Sequence, residues 1–219
     1  MAVKDFMTKR VVYVSPETTV AAAADIMRDK ELRRLPVIEH DKLVGLITEG
    51  TMAEASPSKA TSLSIYEMNY LLNKTKVGDI MIKNVLTVSK YASLEDAIYI
   101  MLQNKVGVLP VVDNDQISGI ITDKDVFRAF LEISGYGQAG IRIGLEVPDT
   151  PRVLEKIANL IASENLNIER TIVAPKNDTV LRVELQVEGE IGIDRLKKVF
   201  VEAGFTVTEI AETEAKELD

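Results

Sequence analysis

Leu35-Pro36-Val37 returns later in the chain as Leu109-Pro110-Val111, displaced by 74 residues. At the same displacement the whole stretch Val3–Met52 aligns with Val77–Val126, and no gap is needed to keep the two copies in step. A repeat of this length indicates one supersecondary unit that is present twice. We therefore expect two copies that pack across a pseudo-two-fold axis. Such packing leaves two related clefts, which are natural ligand sites.

Composition argues against several classes of function. The net charge of −8 disfavours binding of nucleic-acid polymers or of an anionic membrane through a general electrostatic field. No apolar run approaches the ~18 residues of a transmembrane helix, and the charged Asp5 interrupts any secretory signal, so we expect a cytoplasmic protein without membrane insertion. The chain has no Cys and a single His, His40, on a polar turn. Thiol chemistry and a metal site are therefore not expected.

Each repeat carries signals for the order β-α-β-β-α. Val11–Val14 and Val85–Val88 have strand composition, and each is followed by apolar residues at helical spacing. Thr19 and Ser93 stand where helix N-caps belong, and Asp96 completes a capping box with Ser93. Two hairpins follow, with strands predicted at Leu35–Ile38, Leu43–Ile47, Leu109–Val112 and Ile117–Ile121.

A helix after the second hairpin is predicted from the shared face of Val126, Ala129, Phe130 and Ile133. Between the repeats, 56–62 is a loop by composition, and Ile65, Met68, Leu71 and Leu72 give a short connecting helix. The first repeat then covers residues 1–62, and the connecting helix with the second repeat covers 63–135.

The pattern changes after the glycine-rich linker 136–140. Residues 141–210 read as βαββαβ, the order of a ferredoxin-like split βαβ fold with two helices on one face of an antiparallel sheet. Gly204 is placed to end the second of these helices, and 211–219 reads as a frayed acidic tail. The predicted fold class is α/β (α+β).

The duplicated half, about residues 1–135, resembles a pair of CBS domains, the modules named after cystathionine β-synthase. Leu109-Pro110-Val111 and Gly119-Ile120-Ile121-Thr122-Asp123-Lys124-Asp125 carry the resemblance, together with the gapless repeat. The resemblance implies that an adenine nucleotide of the AMP, ADP or ATP class binds in a cleft between the repeats, as a regulatory ligand.

Thr122 and Asp125 suit such a ligand. A Thr at a helix start offers its hydroxyl and free backbone N–H groups to a phosphate, and an Asp one turn later offers acceptors to the ribose hydroxyls. The same spacing also describes a helix capping box. Repeat one has Thr51 in place of Asp125, so we expect one good site and one impaired or differently used site.

Val106-Gly107-Val108 is the expected location of the base, and Arg33 and Arg34 match positions where some family members place phosphate-binding cations. Both groups have structural alternatives, as the start of a strand and as exposed arginines. The predicted nucleotide site comprises Thr122, Asp125, Val106, Gly107, Val108, Pro110, Ile121, Lys124, Thr48, Arg33 and Arg34.

The C-terminal unit resembles an ACT domain, a regulatory module that often binds small amino acids between two copies. The resemblance rests on the loop Val147–Leu154 and on Asn167-Ile168. Arg152 stands where the family usually has Gly, so a pure dimerisation role is as open as amino-acid binding. The residues predicted for an ACT ligand are Asp149, Arg152, Val153, Leu154, Asn167 and Ile168.

The order CBS, CBS, ACT is similar to that of the acetoin-utilisation regulatory family, which does not by itself imply acetoin metabolism. We expect a non-catalytic sensor, without a catalytic cofactor, that forms a homodimer and acts on a partner protein that the sequence does not identify. There are two alternatives: an assembly adaptor that binds no nucleotide, and an enzyme based on carboxylates such as Asp123 and Asp125. Sequence leaves the phosphate count of the ligand open, as well as a cyclic dinucleotide or S-adenosylmethionine in its place.

Overall fold

The computed structural model describes residues 1–55 and 64–216, so the predicted loop at 56–62 lies outside the described residues. The chain divides into two compact units, Met1–Phe127 and Arg128–Asp219. The elements in chain order are α1 (Val3–Phe6), α2 (Val20–Asp29), β1 (Arg34–Glu39), β2 (Lys42–Thr48), α3 (Glu49–Ala55), α4 (Ile65–Lys74), α5 (Val77–Ile80), α6 (Leu94–Asn104), β3 (Val108–Asp113), β4 (Gln116–Thr122), α7 (Asp123–Ser134), β5 (Gly140–Pro148), α8 (Val153–Ser163), β6 (Asn167–Asn177), β7 (Val180–Glu188), α9 (Ile193–Glu202) and β8 (Thr206–Thr213).

Two β-hairpins form the sheet of the first unit. β1 pairs antiparallel with β2 and β3 with β4, which confirms both predicted hairpins. The strand order is β1-β2-β4-β3, so the second strands of the two hairpins are neighbours. They pair at Lys42 and Gln116, and Lys42 Nζ donates to Asp115 Oδ2 at 3.3 Å. The hairpins therefore meet at their turns.

The strands predicted at 11–14 and 85–88 are wrong. Each segment makes a single parallel bridge, from Val14 to Val37 and from Val88 to Val111. Val14 N donates to Pro36 O at 3.0 Å, and Ile38 N donates to Val14 O at 2.8 Å. Extending this ladder back toward Val12 requires residue 36 to donate, and proline has no N–H. Pro110 imposes the same limit in repeat two.

The helices that begin after Thr19 and Ser93 are confirmed. Thr19 accepts a hydrogen bond from Ala22 N, and Ser93 and Asp96 form the predicted capping box. The connecting helix α4 is also confirmed, and α3 is the last helix of the order predicted for repeat one, whereas the short helices α1 and α5 were not predicted. None of the helices in the described part of the chain has the length and apolar content that a membrane crossing requires.

α7 is present where the sequence predicted a helix, but its predicted buried face is partly wrong. Ala129 is buried, whereas Phe130 is 65% exposed. A helix that starts at Asp123 has polar residues throughout its first turn, and its sequence pattern does not show which side is covered.

Two segments exchange between the repeats. We call residues 1–8 the first arm and residues 75–82 the second arm. Thr8 and Ile120 donate to one another's carbonyls at 2.9 and 3.0 Å, respectively, and Leu46 and Ile82 do the same at 2.9 Å. Each arm thus pairs with the hairpin of the other repeat. The first unit is consequently an intertwined pair of repeats, not two modules in succession.

The second unit has the predicted βαββαβ order. Its four strands lie in the order β6-β7-β5-β8 with antiparallel neighbours. Ile143, Leu145, Val183, Leu196 and Phe200 belong to one buried core cluster. Ile143, Leu145 and Val183 follow the alternation of apolar side chains along β5 and β7, and Leu196 and Phe200 lie on the buried face of α9.

β8 ends at Thr213 and therefore includes the first three residues of the predicted acidic tail, 211–213. Thr213 pairs with Gly140 on β5, and its hydroxyl donates to Gln138 O at 2.8 Å. The same hydroxyl accepts from Nε2 of Gln186 at 2.7 Å, a side chain that is only 3% exposed. Strand pairing and this buried amide hold residues 211–213 in the sheet.

Candidate functional site

A cavity of about 410 Å³ lies in the first unit, where both repeats contribute to its walls. The start of β1 supplies Arg33 and Arg34, and the loop before β3 supplies Lys105 through Val108. The end of β2 and the start of α3 supply the third side. The lining consists of Arg33, Arg34, Leu46, Thr48, Glu49, Gly50, Ile82, Asn84, Val85, Leu86, Lys105, Val106, Gly107 and Val108.

Any side chain at Gly107 would displace the ends of two neighbouring side chains. A Cβ at this position would lie 2.6 Å from Asp123 Oδ2 and 2.9 Å from Arg34 Nη2. Asp123 N also donates to Gly107 O at 3.2 Å, and the matching bond in the other repeat joins Glu49 N to Arg33 O at 3.1 Å. The absence of a side chain at Gly107 thus lets Arg34 of repeat one approach the backbone of repeat two.

Thr48 and Thr51 bond to each other on the repeat-one side of the cavity. Thr48 N donates to Thr51 Oγ1 at 2.9 Å, and Thr51 N donates to Thr48 Oγ1 at 3.1 Å. The Thr51 hydroxyl donates its proton to Thr48 O at 2.9 Å. Its one proton is therefore committed to the helix start, and no carboxylate stands at this position to accept from a ribose.

Thr122 and Asp125 form the corresponding pair in repeat two. Asp125 Oδ2 accepts from Thr122 N at 2.8 Å and from Thr122 Oγ1 at 2.7 Å. Asp125 N donates to Thr122 Oγ1 at 3.3 Å, so the two residues cap α7 as a capping box does. The second carboxylate oxygen, Oδ1, accepts no hydrogen bond within 1–55 and 64–216 and keeps its capacity for a ligand.

The predicted nucleotide residues separate into two groups. The cavity brings together Arg33, Arg34, Thr48, Val106, Gly107 and Val108. Thr122, Asp125, Lys124, Pro110 and Ile121 do not line it, and Pro110 and Ile121 are buried. Their role in binding stays a prediction.

Sequence reasoning missed the contribution of the second arm and of Lys105. The predicted site grouped Thr48 of one repeat with Val106–Val108 of the other, and both line the cavity. Ile82, at the end of the second arm, and Lys105 also line it, from segments without a local binding motif.

Asp113 is the carboxylate with the most hydrogen bonds to its side chain in the first unit's hairpins. Ser89 Oγ donates to it at 2.6 Å, Lys90 N at 3.2 Å and Ser118 Oγ at 3.3 Å. The Ser89 hydrogen bond, with smaller help from Lys90 and Ser118, lowers the pKa of Asp113 below its ordinary value. In repeat one the displacement of 74 residues puts Glu39 at the position of Asp113 and Pro16, which has no N–H, at the position of Lys90. This contact is therefore a property of repeat two.

In the second unit a cavity of about 630 Å³ lies beside the start of α8. Arg152 has a φ of 69°, in the left-handed region that favours glycine, and its guanidinium holds Glu155 with bonds of 2.7 and 2.8 Å. This pair lowers the pKa of Glu155. Lys156 Nζ donates to Ala203 O at 2.7 Å and lies 4.8 Å from the centre of the Phe205 ring.

Two of the six residues predicted for an ACT ligand, Arg152 and Val153, line this second cavity. Asp149, Leu154, Asn167 and Ile168 do not. Asp149 N donates to Thr179 O at 2.8 Å, which fixes the loop ahead of α8.

Comparison with known proteins identifies the family. The model of the CBS domain family matches residues 3–58 and 77–132, which are the two copies that the internal repeat defines. These ranges make up more than half of the chain, and the chain belongs to the CBS domain family.

Individual proteins resemble part of the chain. The chloroplastic CBS domain-containing protein CBSX1 of Arabidopsis thaliana is 36% identical over 156 residues, which cover 62% of this chain and 66% of CBSX1. A crystal structure of CBSX2 from the same plant in complex with AMP is 34% identical with a TM-score of 0.52, covering 60% of this chain and 97% of that chain. A crystal structure of a proposed acetoin utilization protein from Vibrio cholerae is 26% identical with a TM-score of 0.53, covering 63% of this chain and 98% of that chain. This chain thus spans just under two thirds of the length of CBSX1.

Proposed function

We propose that this protein is a regulatory sensor that binds an adenine nucleotide between its two CBS copies and catalyses no reaction. The observation that carries the proposal is the cavity of about 410 Å³, in which Arg33, Arg34 and Thr48 of one repeat meet Val106–Val108 of the other. Its size suits a small organic ligand. The CBSX2 crystal structure with AMP supports an adenine ligand for this chain.

The proposal includes two clefts with different ligand groups. The displacement of 74 residues maps Thr48 onto Thr122 and Val106 onto Leu32. We infer that the cleft that matches the observed cavity presents Thr122 beside Leu32, with Asp125 one helical turn after Thr122. Asp125 Oδ1 is available there for a ribose hydroxyl, and a charge-assisted bond of this kind contributes about 1.5–3 kcal/mol. We assign the ribose contact to this second cleft.

Scarcity of catalytic groups supports a binding role. The chain has no Cys, and His40 is its only His. Among the described residues no three His, Asp or Glu side chains cluster as metal ligands. Asp125, the carboxylate best placed for chemistry, already caps α7 with one of its oxygens.

For the second unit we propose an ACT-type role, either homodimerisation or binding of a small amino acid. Its strand order supports this assignment, and β6 is an edge strand of 11 residues whose outer backbone groups can pair with a second strand.

Calorimetric titration with AMP tests the nucleotide proposal. Asp125→Ala should weaken AMP by about 10- to 100-fold, because it removes the ribose acceptor. Thr51→Ala is the matched control, since Thr51 occupies the same position in repeat one and also bonds to its helix start. Circular dichroism establishes that both variants fold.

Equal AMP affinity for wild type and Asp125→Ala would refute the ribose assignment. Absence of heat with AMP and ATP, together with absent thermal stabilisation, would refute nucleotide sensing and favour the adaptor. A bound nucleotide at about 100 times its Kd adds about 2.7 kcal/mol to the folded state, so the second measurement is sensitive. Release of phosphate or adenosine during the titration would instead indicate an enzyme.

A further inference from the structure

The cavity of about 410 Å³ is lined by three basic side chains, Arg33, Arg34 and Lys105, and by one acidic side chain, Glu49. Arg33 Nε lies 4.0 Å from Glu49 Oε2, and both side chains are well exposed. Within the described ranges 1–55 and 64–216, no carboxylate forms an ion pair with Arg34 or Lys105. A cavity that collects like charges in this way, in a chain of net charge −8, is suited to an anionic ligand.

The position of Lys105 has an internal reference in the chain. The displacement of 74 residues places Glu31 at the matching position of repeat one, and both residues have a φ of 53°. The backbone therefore presents the two side chains in the same left-handed conformation with opposite charge. The second cleft carries a negative group where this cavity carries a positive one.

A second position near the cavity also has no negative charge where repeat two has one. Thr51 replaces Asp125, and its hydroxyl proton is committed to Thr48 O at 2.9 Å. The cavity thus lacks the counterpart of Asp125, and its three basic side chains outnumber the two acidic side chains near them, Glu49 in the lining and Asp123, whose Oδ2 lies beside Arg34 near Gly107. Val85, Leu86 and Val106 supply an apolar wall for a flat ring.

We propose that this cavity selects a nucleoside di- or triphosphate over a monophosphate, with Lys105, Arg34 and Arg33 holding the phosphate chain. A guanidinium fork binds phosphate oxygens in pairs, and the Lys ammonium is a compact charge for a further phosphate. A monophosphate brings fewer oxygens and less charge to these three groups. The inference rests on the proposed function, because it assumes that the CBS pair binds a nucleotide.

Isothermal titrations of ATP and AMP without divalent cations test the proposal in the Asp125→Ala background, in which the second cleft is impaired. We expect ATP to bind at least about 10-fold tighter than AMP. Adding Lys105→Glu should weaken ATP by about 10- to 100-fold and AMP by less than about 3-fold. Glu is compatible with the backbone here, because Glu31 has the same φ.

Lys90→Glu is the matched control, because it makes the same charge change at a residue that does not line the cavity. It should leave the ATP to AMP ratio unchanged. Lys105→Gln is the milder second variant if Lys105→Glu shifts the circular dichroism spectrum.

Equal affinities for ATP and AMP in the Asp125→Ala protein would overturn this proposal. An equal loss of both ligands on Lys105→Glu would overturn it as well. In either case nucleotide sensing would stand. If neither nucleotide binds the wild-type protein, both proposals are overturned. The titrations of the wild-type protein therefore separate a failure of nucleotide sensing from a failure of the ATP preference alone.

Discussion

Gly119→Ala tests whether the first arm packs against Gly119 of repeat two. An ideal Cβ on Gly119 would lie 2.7 Å from Met7 Sδ, 3.1 Å from Met7 Cγ and 2.9 Å from Thr8 O. The Met7 side chain can rotate away, but Thr8 O belongs to the backbone. That carbonyl accepts from Ile120 N at 3.0 Å, so any movement that relieves the clash disturbs the bridge between the repeats.

The expected loss of stability combines two terms. Overpacking a filled site costs about 1–3 kcal/mol. Losing the two backbone hydrogen bonds between Thr8 and Ile120 adds about 1 kcal/mol each if the arm detaches. We expect Gly119→Ala to lower the free energy of unfolding by about 3–5 kcal/mol, a large part of the ~5–15 kcal/mol of a typical domain.

Urea unfolding followed by circular dichroism measures this loss, and amide exchange at Ile120 reports the bridge directly. Gly50→Ala is the matched control: its Cβ would meet a single atom, Thr48 Oγ1 at 3.5 Å, and it lies within α3. That variant should be stabilised by up to about 1 kcal/mol, because Ala is the better helix former. A change below about 0.5 kcal/mol for Gly119→Ala would show that the first arm does not sit on Gly119.

Three further outcomes follow from the structure. The pKa of Asp113 is lowered in the fold, chiefly by the Ser89 hydroxyl, so the ionised carboxylate stabilises the folded state above the ordinary Asp pKa of 3.8, and this stability is lost as the pH falls through the lower folded value. Asp113→Asn should therefore reduce the pH dependence of stability in acid unfolding. An unchanged slope would contradict this expectation. Thr213→Val leaves Gln186 Nε2 without its 2.7 Å partner and should lower the free energy of unfolding in urea by about 1–3 kcal/mol. The control Thr206→Val, at an exposed position of the same strand, should stay within about 0.5 kcal/mol of wild type. Equal stabilities of the two variants would disprove the anchoring of β8. Arg152→Gly introduces glycine at a φ of 69°, which glycine adopts readily, but removes the ion pair with Glu155. The pKa of Glu155, followed by NMR during acid titration, should therefore rise toward its ordinary value. No rise would refute the pairing.

Local patterns predicted the elements whose signals lie within a few residues. The hairpins followed from apolar runs around polar turns, and α2 and α6 followed from apolar spacing after Thr19 and Ser93. The βαββαβ order of the second unit came from the change between periods of two and 3.6. In each case the residues that decide the element are its own.

Failures arose where another segment decides the outcome. Val11–Val14 has strand composition, but Pro36 on the neighbouring strand cannot donate the next hydrogen bond. Ala211 and Glu212 read as an acidic tail, but β5 pairs with them. The partner of a segment is a tertiary property, so composition could not show it.

The sequence by itself determined the duplication, the family, the hairpins and the helix caps, because each of these depends on residues at fixed, short spacing or on a constant displacement. Tertiary structure alone decided that the arms exchange between the repeats. It also decided that Lys105 joins Arg33 and Arg34 in the cavity. Residues that are distant in the chain come together through packing of the two copies, and the free energy of that packing is not written in any single segment.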